Sequence, residues 1–170
     1  MIILLFALVF PTCLLWASLT DATSMTIPNR LNMILAAAVV PVGLMLHFSL
    51  PTWGMHIGLA AAALVVGMGF FALGFMAGGD VKLIAAAALW FDWNGFLALL
   101  IYTALAGGAL TLGLLAVRKA FWVYEPAAPA WLQKHLQPKG DVPYGIAICA
   151  GGLFAIVQGD IWPQIQGTLG

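Results

Sequence analysis

The sequence predicts an all-α membrane protein: a bundle of six transmembrane helices with a short fourth span and its N-terminus outside. Three observations predict it. Of the 170 residues, 64% are hydrophobic and only 7% charged, whereas a soluble domain carries roughly a quarter charged residues. Apolar runs near membrane-crossing length recur between short polar breaks. The six Lys and Arg residues all fall in alternate breaks, as the positive-inside rule requires of cytoplasmic loops. Formal net charge is zero and mean hydropathy is +1.06, so the chain has neither the basic footprint of a nucleic-acid binder nor a charged tail. Residues 1–170 read as one transmembrane domain without a separate soluble domain.

Residues 1–19 form a charge-free apolar run about long enough to cross a hydrocarbon core of ~30 Å. A secretory signal peptide is the rival reading, but the basic segment that should open one is missing. Pro11 marks a place for a kink, which neighbouring helices tolerate. The first polar break spans 20–30, where Pro28 restricts Ile27 to extended geometry and Asn29 suits the N-cap of the next helix. The second span covers 31–49, Leu50-Pro51-Thr52 reads as a tight turn, and the third span runs to 76.

The apolar run from Val81 to Phe91 is 11 residues long, roughly 16 Å of helix and too short to cross alone. Either it continues through Asp92 and Trp93, or its start lies below the membrane surface in a protein-lined cavity. The turn Asp92-Trp93-Asn94-Gly95 leads to a fifth span over 96–117. A long polar segment, 118–141, precedes a sixth span over 142–159 and a tail over 160–170.

With the N-terminus outside, the loops at 20–30, 77–82 and 118–141 share the cytoplasmic side. They hold Arg30, Lys82, Arg118, Lys119, Lys134 and Lys139. Removing the fourth span would separate the last four of these from the first two. Most tryptophans sit near segment ends, as an interfacial belt places them. Gly54 with Gly58, Gly74 with Gly78, and Ala60 to Ala63 are small residues at spacings that let helices approach closely. Cys13 and Cys149, each alone in an apolar segment, read as small core residues.

The stretch Ala77-Gly78-Gly79-Asp80-Val81-Lys82-Leu83 puts a carboxylate and an ammonium into apolar surroundings, a placement whose default reading is functional. Topology supplies the partner. Asp21 closes the first span and Asp80 opens the fourth, so both lie at similar depth on the cytoplasmic side. Two carboxylates a few ångströms apart cannot both ionise easily, and the pair holds a shared proton. One member then acts as general base on a water while the other hydrogen-bonds the scissile carbonyl, as aspartic-type peptide hydrolysis requires. Gly78 and Gly79 let a substrate strand come close.

Plain structural readings stand beside these. Asp21 alone would read as a loop acid or cap, Lys82 as a snorkelling interfacial lysine, Asp92 and Asp160 as solvated turn and tail residues, and Asp141 as a helix cap. Tyr144 and Gly145 read as packing residues that open the sixth helix, with a place beside the dyad left open. His47 and His56 flank the outer turn, and no metal-binding spacing or GxSxG nucleophile is present.

Asp21 followed by Ile27-Pro28-Asn29, then Gly79-Asp80-Val81-Lys82-Leu83, then Val142-Pro143-Tyr144-Gly145-Ile146-Ala147-Ile148 resembles the type IV prepilin peptidases, and most of all the short class serving Tad/Flp-type pili. The resemblance covers nearly the whole chain. It implies a GxGD-type membrane aspartic protease with Asp21 and Asp80 as the catalytic pair. It further implies motif support from Gly78, Gly79, Lys82, Ile27, Pro28, Asn29, Pro143, Tyr144 and Gly145, and no metal or organic cofactor. The implied substrates are prepilin-like proteins with a hydrophobic N-terminal helix, cut at the cytoplasmic face of the bacterial inner membrane. Membrane lipids are the other expected partner, and oligomeric state is left open.

This chain departs from the family pattern in two places: the first motif glycine is Ala77, and Ala22 to Thr26 is uncharged where the family is usually basic. Longer members carry a cysteine-rich insert and N-methylate their product. The insert is missing here, so the expectation is cleavage without methyl transfer and no methyltransferase domain. Two other classes stay open: a small transporter or channel subunit using Asp21 and Asp80 for a cation or protons, and a catalytically inactive pilus assembly factor.

Overall fold

The computed structural model describes residues 8–121 and 142–167. Within them the chain forms seven helices and no strand: α1 (Val9–Ser24), α2 (Asn29–Met45), α3 (Leu50–Ala72), α4 (Gly78–Ala88), α5 (Trp93–Phe121), α6 (Tyr144–Ala155) and α7 (Ile161–Gly167). Of these, α3 and α5 are long and apolar enough to cross a membrane, while α2 and α6 are shorter apolar helices. The expected cap at Asp141 and the polar residues Lys134 and Lys139 lie outside the described residues.

Several boundaries differ from expectation, each for a local reason. The first helix runs on to Ser24, so Asp21 sits in its last turn rather than in a loop; Met25, at φ 55°, closes it and donates to the Asp21 carbonyl at 2.9 Å. Pro28, not Asn29, precedes the first turn of α2, a place where a missing N–H costs nothing. The reversal after α2 falls at His47, φ 54°, with the Phe48 N–H donating to the Gly43 carbonyl at 2.9 Å, a left-handed helix end. Leu50-Pro51-Thr52 is therefore the first turn of α3, capped by the Ser49 hydroxyl, which accepts from the Thr52 N–H at 3.3 Å. Asp92 is no loose turn residue either: its Oδ1 accepts from the Gly95 N–H at 3.0 Å at the start of α5.

The short helix α4 is the centre of the bundle. Apart from its first two glycines and Lys82, all its residues are buried, and it packs against α3, α2 and α6, while α6 packs against α5 and α1. The helix stops at Ala88 and does not run on through Asp92, which removes one of the two readings of this stretch.

Close approach uses glycines other than those singled out by spacing. A Cβ on Gly67 would lie 2.6 Å from Val81 Cγ1, and one on Gly152 would lie 2.5 Å from Leu14 Cδ1, so these two glycines set the α3–α4 and α6–α1 contacts. Gly54 and Gly58 meet nothing within 4 Å. Trp90 leaves the expected aromatic belt: it is buried, donates from Nε1 to the Leu35 carbonyl at 2.9 Å, and packs on Phe10 with ring centroids 5.3 Å apart.

At the end of the bundle where α4 stops, His56 is fully buried. Its Nδ1 lies 2.9 Å from the Leu89 carbonyl and its Nε2 lies 3.6 Å from Asp160 Oδ2. Asp160 is therefore not a solvated tail residue. The chain beyond it forms α7, which buries Ile161 and Ile165.

Candidate active site

Three helix ends meet at the opposite end of the bundle: the last turn of α1, the first turn of α4 and the first turn of α6. Asp21, in the last turn of α1, is buried. Asp80 is the third residue of α4, also buried, with its N–H donating to the Ala77 carbonyl at 3.1 Å. The two carboxylates act on each other electrostatically, and their exposures are only 7% and 5%.

The glycines before Asp80 bring the start of α4 against its neighbours. A Cβ on Gly79 would lie 3.3 Å from Ile27 Cβ, and one on Gly78 would lie 3.5 Å from the Phe71 ring. Gly79 thus sets the contact between the second aspartate's turn and the segment that follows the first aspartate. Ala77 has φ −76° and ψ 147°, extended backbone that any L-residue adopts. Alanine at the first motif position therefore strains nothing.

The third helix end supplies a direct contact. Asp21 Oδ2 accepts from the Gly145 N–H at 2.7 Å. The first N–H groups of a helix have no acceptor within it, and its N-terminus carries partial positive charge, so a carboxylate fits there. The approach admits no side chain: a Cβ on Gly145 would lie 2.8 Å from Asp21 Cβ. Pro143 precedes the helix with φ −74°, and Tyr144 packs over Gly107 of α5, where an added Cβ would lie 3.1 Å from the Tyr144 ring.

The remaining motif residues form a bridge beside this centre. Lys82 Nζ donates to Asn29 Oδ1 at 2.9 Å, on the exposed side, and so ties α4 to α2. The Asn29 side chain is therefore engaged by Lys82 and makes no cap hydrogen bond at the start of α2.

Two residues carry more than the sequence reading gave them. Gly145, read mainly as packing, is a hydrogen-bond donor to Asp21; the usable signal was a glycine in the opening turn of a helix that starts on the same side as that aspartate. Asn32 was passed over inside the second span. It is buried at 6% exposure, and neither its Nδ2 nor its Oδ1 has a hydrogen-bonding partner among the described residues. Its signal was an amide three residues beyond Asn29, on the same helix face.

Among the described residues, no three His, Cys, Asp or Glu side chains gather as a metal site would require. Two buried carboxylates, Asp21 and Asp80, therefore stand at this end of the bundle.

A family model for the type IV leader peptidase family matches residues 8–112, a stretch that includes Asp21, Ile27-Pro28-Asn29 and the whole run from Ala77 to Leu83. No curated protein and no solved structure matches the chain. With more than half of its length matched, and both aspartates inside the match, the chain belongs to the type IV leader peptidase family.

Proposed function

We propose that this protein is a membrane aspartic endopeptidase that removes the leader from type IV prepilin-like proteins, of the Tad/Flp type, at the cytoplasmic face of the bacterial inner membrane, without N-methylation. One observation carries the reading: Asp21 and Asp80, contributed by different helices, are both buried at one end of the bundle and feel each other's charge. The family match supports peptidase chemistry.

In this mechanism the dyad enters each turnover with one proton. The ionised carboxylate takes a proton from a water as its oxygen attacks the scissile carbonyl carbon, and the protonated one hydrogen-bonds the carbonyl oxygen. As the tetrahedral intermediate collapses, the C–N bond breaks and the departing amine takes a proton from the pair. The Gly145 N–H contact positions Asp21 for this work, and the Lys82–Asn29 bridge fixes α4 to α2 beside it.

The test is co-expression with tagged candidate prepilins from the same genome, following leader removal by the size shift. Wild type should process at least one of them. Asp21→Asn and Asp80→Asn should each abolish processing with the protein still at normal level in the membrane. Undiminished processing by either variant overturns the proposal.

A further inference from the structure

The end of the bundle remote from Asp21 and Asp80 holds a second pair of ionisable side chains, His56 on α3 and Asp160 in the link between α6 and α7. The ring of His56 is fully buried and lies against the Phe48 ring, with centroids 5.0 Å apart. Its Nδ1 sits 2.9 Å from the carbonyl of Leu89, the residue that closes α4. A carbonyl oxygen only accepts, so Nδ1 carries a hydrogen and donates it, which fixes the tautomer. In the neutral ring that leaves Nε2 as a bare acceptor.

What Nε2 faces is another acceptor. Asp160 Oδ2 lies 3.6 Å away, beyond the roughly 2.7 to 3.2 Å of an N–H to O hydrogen bond. Nε2 and Asp160 Oδ1 are both buried without a hydrogen-bonding partner among the described residues, while Oδ2 accepts from Gln164 Nε2 at 3.3 Å. Water fits the gap poorly, since one hydrogen to each acceptor at ~2.8 Å sets the two about 4.4 Å apart. A proton on Nε2 removes the mismatch, because it turns facing acceptors into a charge-assisted hydrogen bond.

The charges at this end favour that proton. Besides Asp160 there is Asp92, whose Oδ1 accepts from the Gly95 N–H and would lie 3.7 Å from a Cβ on Gly159, the residue before Asp160. His47, exposed in the link between α2 and α3, is the other ionisable group here. The lysines and arginines of the described residues stand near the starts of α2 and α4 and in the last turn of α5, at the opposite end.

We propose that His56 and Asp160 form a proton-operated clasp: a proton on Nε2 closes the pair, and its loss leaves two acceptors face to face and loosens this end of the bundle. The clasp joins α3 to the closing end of α4 and to the segment that follows α6. Those two helices open at the candidate active site, α4 with Asp80 in its first turn and α6 with the Gly145 donor, so one ring fastens the far ends of both. A proton held by the folded pair and released on unfolding contributes stability at low pH that is lost as the pH rises. The clasp needs neither a substrate nor the chemistry of the dyad.

The test uses the nitrogen-15-labelled full chain in detergent micelles with His47 and His135 changed to glutamine, which leaves His56 as its one histidine. Both ring nitrogens should carry hydrogen at about pH 6, and Nε2 should lose its own as the pH is raised to about 8.5. In the same chain with Asp160→Asn, Nε2 should be bare throughout, because the asparagine amide donates to it directly. Denaturation supplies the second measurement. The folding equilibrium constant of the Asp160 chain, divided by that of Asp160→Asn, should fall about tenfold or more over this range, the weight of one hydrogen bond to a charged group. The dyad is common to both chains and cancels. An Nε2 without hydrogen at every pH in the Asp160 chain, which is read whether or not the variant folds, overturns the clasp. So does a ratio that does not change with pH, or a denaturation midpoint that shifts with EDTA or added zinc, which would put a metal ion between the two side chains.

Discussion

Gly145→Ala is the sharpest perturbation that the site allows, because a single methyl group is aimed at Asp21. The new Cβ would lie 2.8 Å from Asp21 Cβ, 3.2 Å from Cγ and 3.0 Å from Oδ2, where ordinary contact begins near 3.4 Å. Asp21 is buried in the last turn of α1, so relief comes from moving its side chain and α6 apart by about 0.6 Å. The 2.7 Å hydrogen bond from Gly145 to Oδ2 then stretches past the usual range for N–H to O. Misplacing a reacting group by 1 Å costs about a hundredfold in rate, so kcat for prepilin cleavage should fall about tenfold to a hundredfold with KM little changed. Crowding should also lower stability by about 1 to 3 kcal/mol. Single-turnover cleavage in detergent micelles measures the rate, and the neighbouring glycines calibrate it. Gly79→Ala, whose Cβ would sit 3.3 Å from Ile27 Cβ, should be mild, and Gly78→Ala, at 3.5 Å from the Phe71 ring, milder still. A Gly145→Ala enzyme that cleaves at the wild-type rate, or a series in which Gly78→Ala is the most damaged, refutes the placement of Asp21 by α6.

Three further predictions concern stability, each read from denaturation in mixed micelles. His56→Ala removes a fully buried ring that contacts the Leu89 carbonyl at 2.9 Å and should cost about 2 to 4 kcal/mol; a loss below about 1 kcal/mol contradicts a structural role for this ring. Trp90→Phe keeps most of the packing but deletes the hydrogen bond to Leu35, for about 1 kcal/mol, whereas Trp90→Ala should cost about 3 to 5 kcal/mol; equal losses would show that the hydrogen bond, not the packing, dominates. Gly74→Ala forces a side chain onto φ 76° at a cost of about 1 to 2 kcal/mol, while Gly54→Ala, with nothing within 4 Å, should gain a few tenths to about 1 kcal/mol of helix propensity.

Composition and the spacing of apolar runs made the helical class legible, because burying backbone polar groups in lipid leaves helices as the simplest solution for runs of that length. That Asp21 and Asp80 fall at one end of the bundle was legible as well, from their places at the close of one apolar run and the start of another. Helix ends were not. Asn29 looks like a cap by residue type, but the restricted φ of Pro28 starts the helix one residue earlier in the chain, and Lys82 claims the asparagine. Gly54 and Gly58 have the right spacing for a helix contact, yet spacing names a face without naming a neighbour. Gly67, with no repeat to mark it, is the glycine that meets Val81. His56 and Asp160 looked separate because 104 positions of sequence divide them. Only the tertiary fold brings them within 3.6 Å. Gly145 could be placed at a helix start from its sequence, but the acceptor for its N–H is a tertiary fact.

That acceptor bears on the order in which the protein is made. The hydrogen bond from Gly145 joins residues 124 positions apart, so a ribosome that has already delivered both aspartates still has a large part of its work ahead. Until α6 leaves the exit tunnel and enters the bundle, Asp21 lacks the backbone donor that holds it, and the finished site appears late in synthesis. With Asp21 in the role proposed for it, the enzyme stays idle until its last apolar segments have joined the bundle.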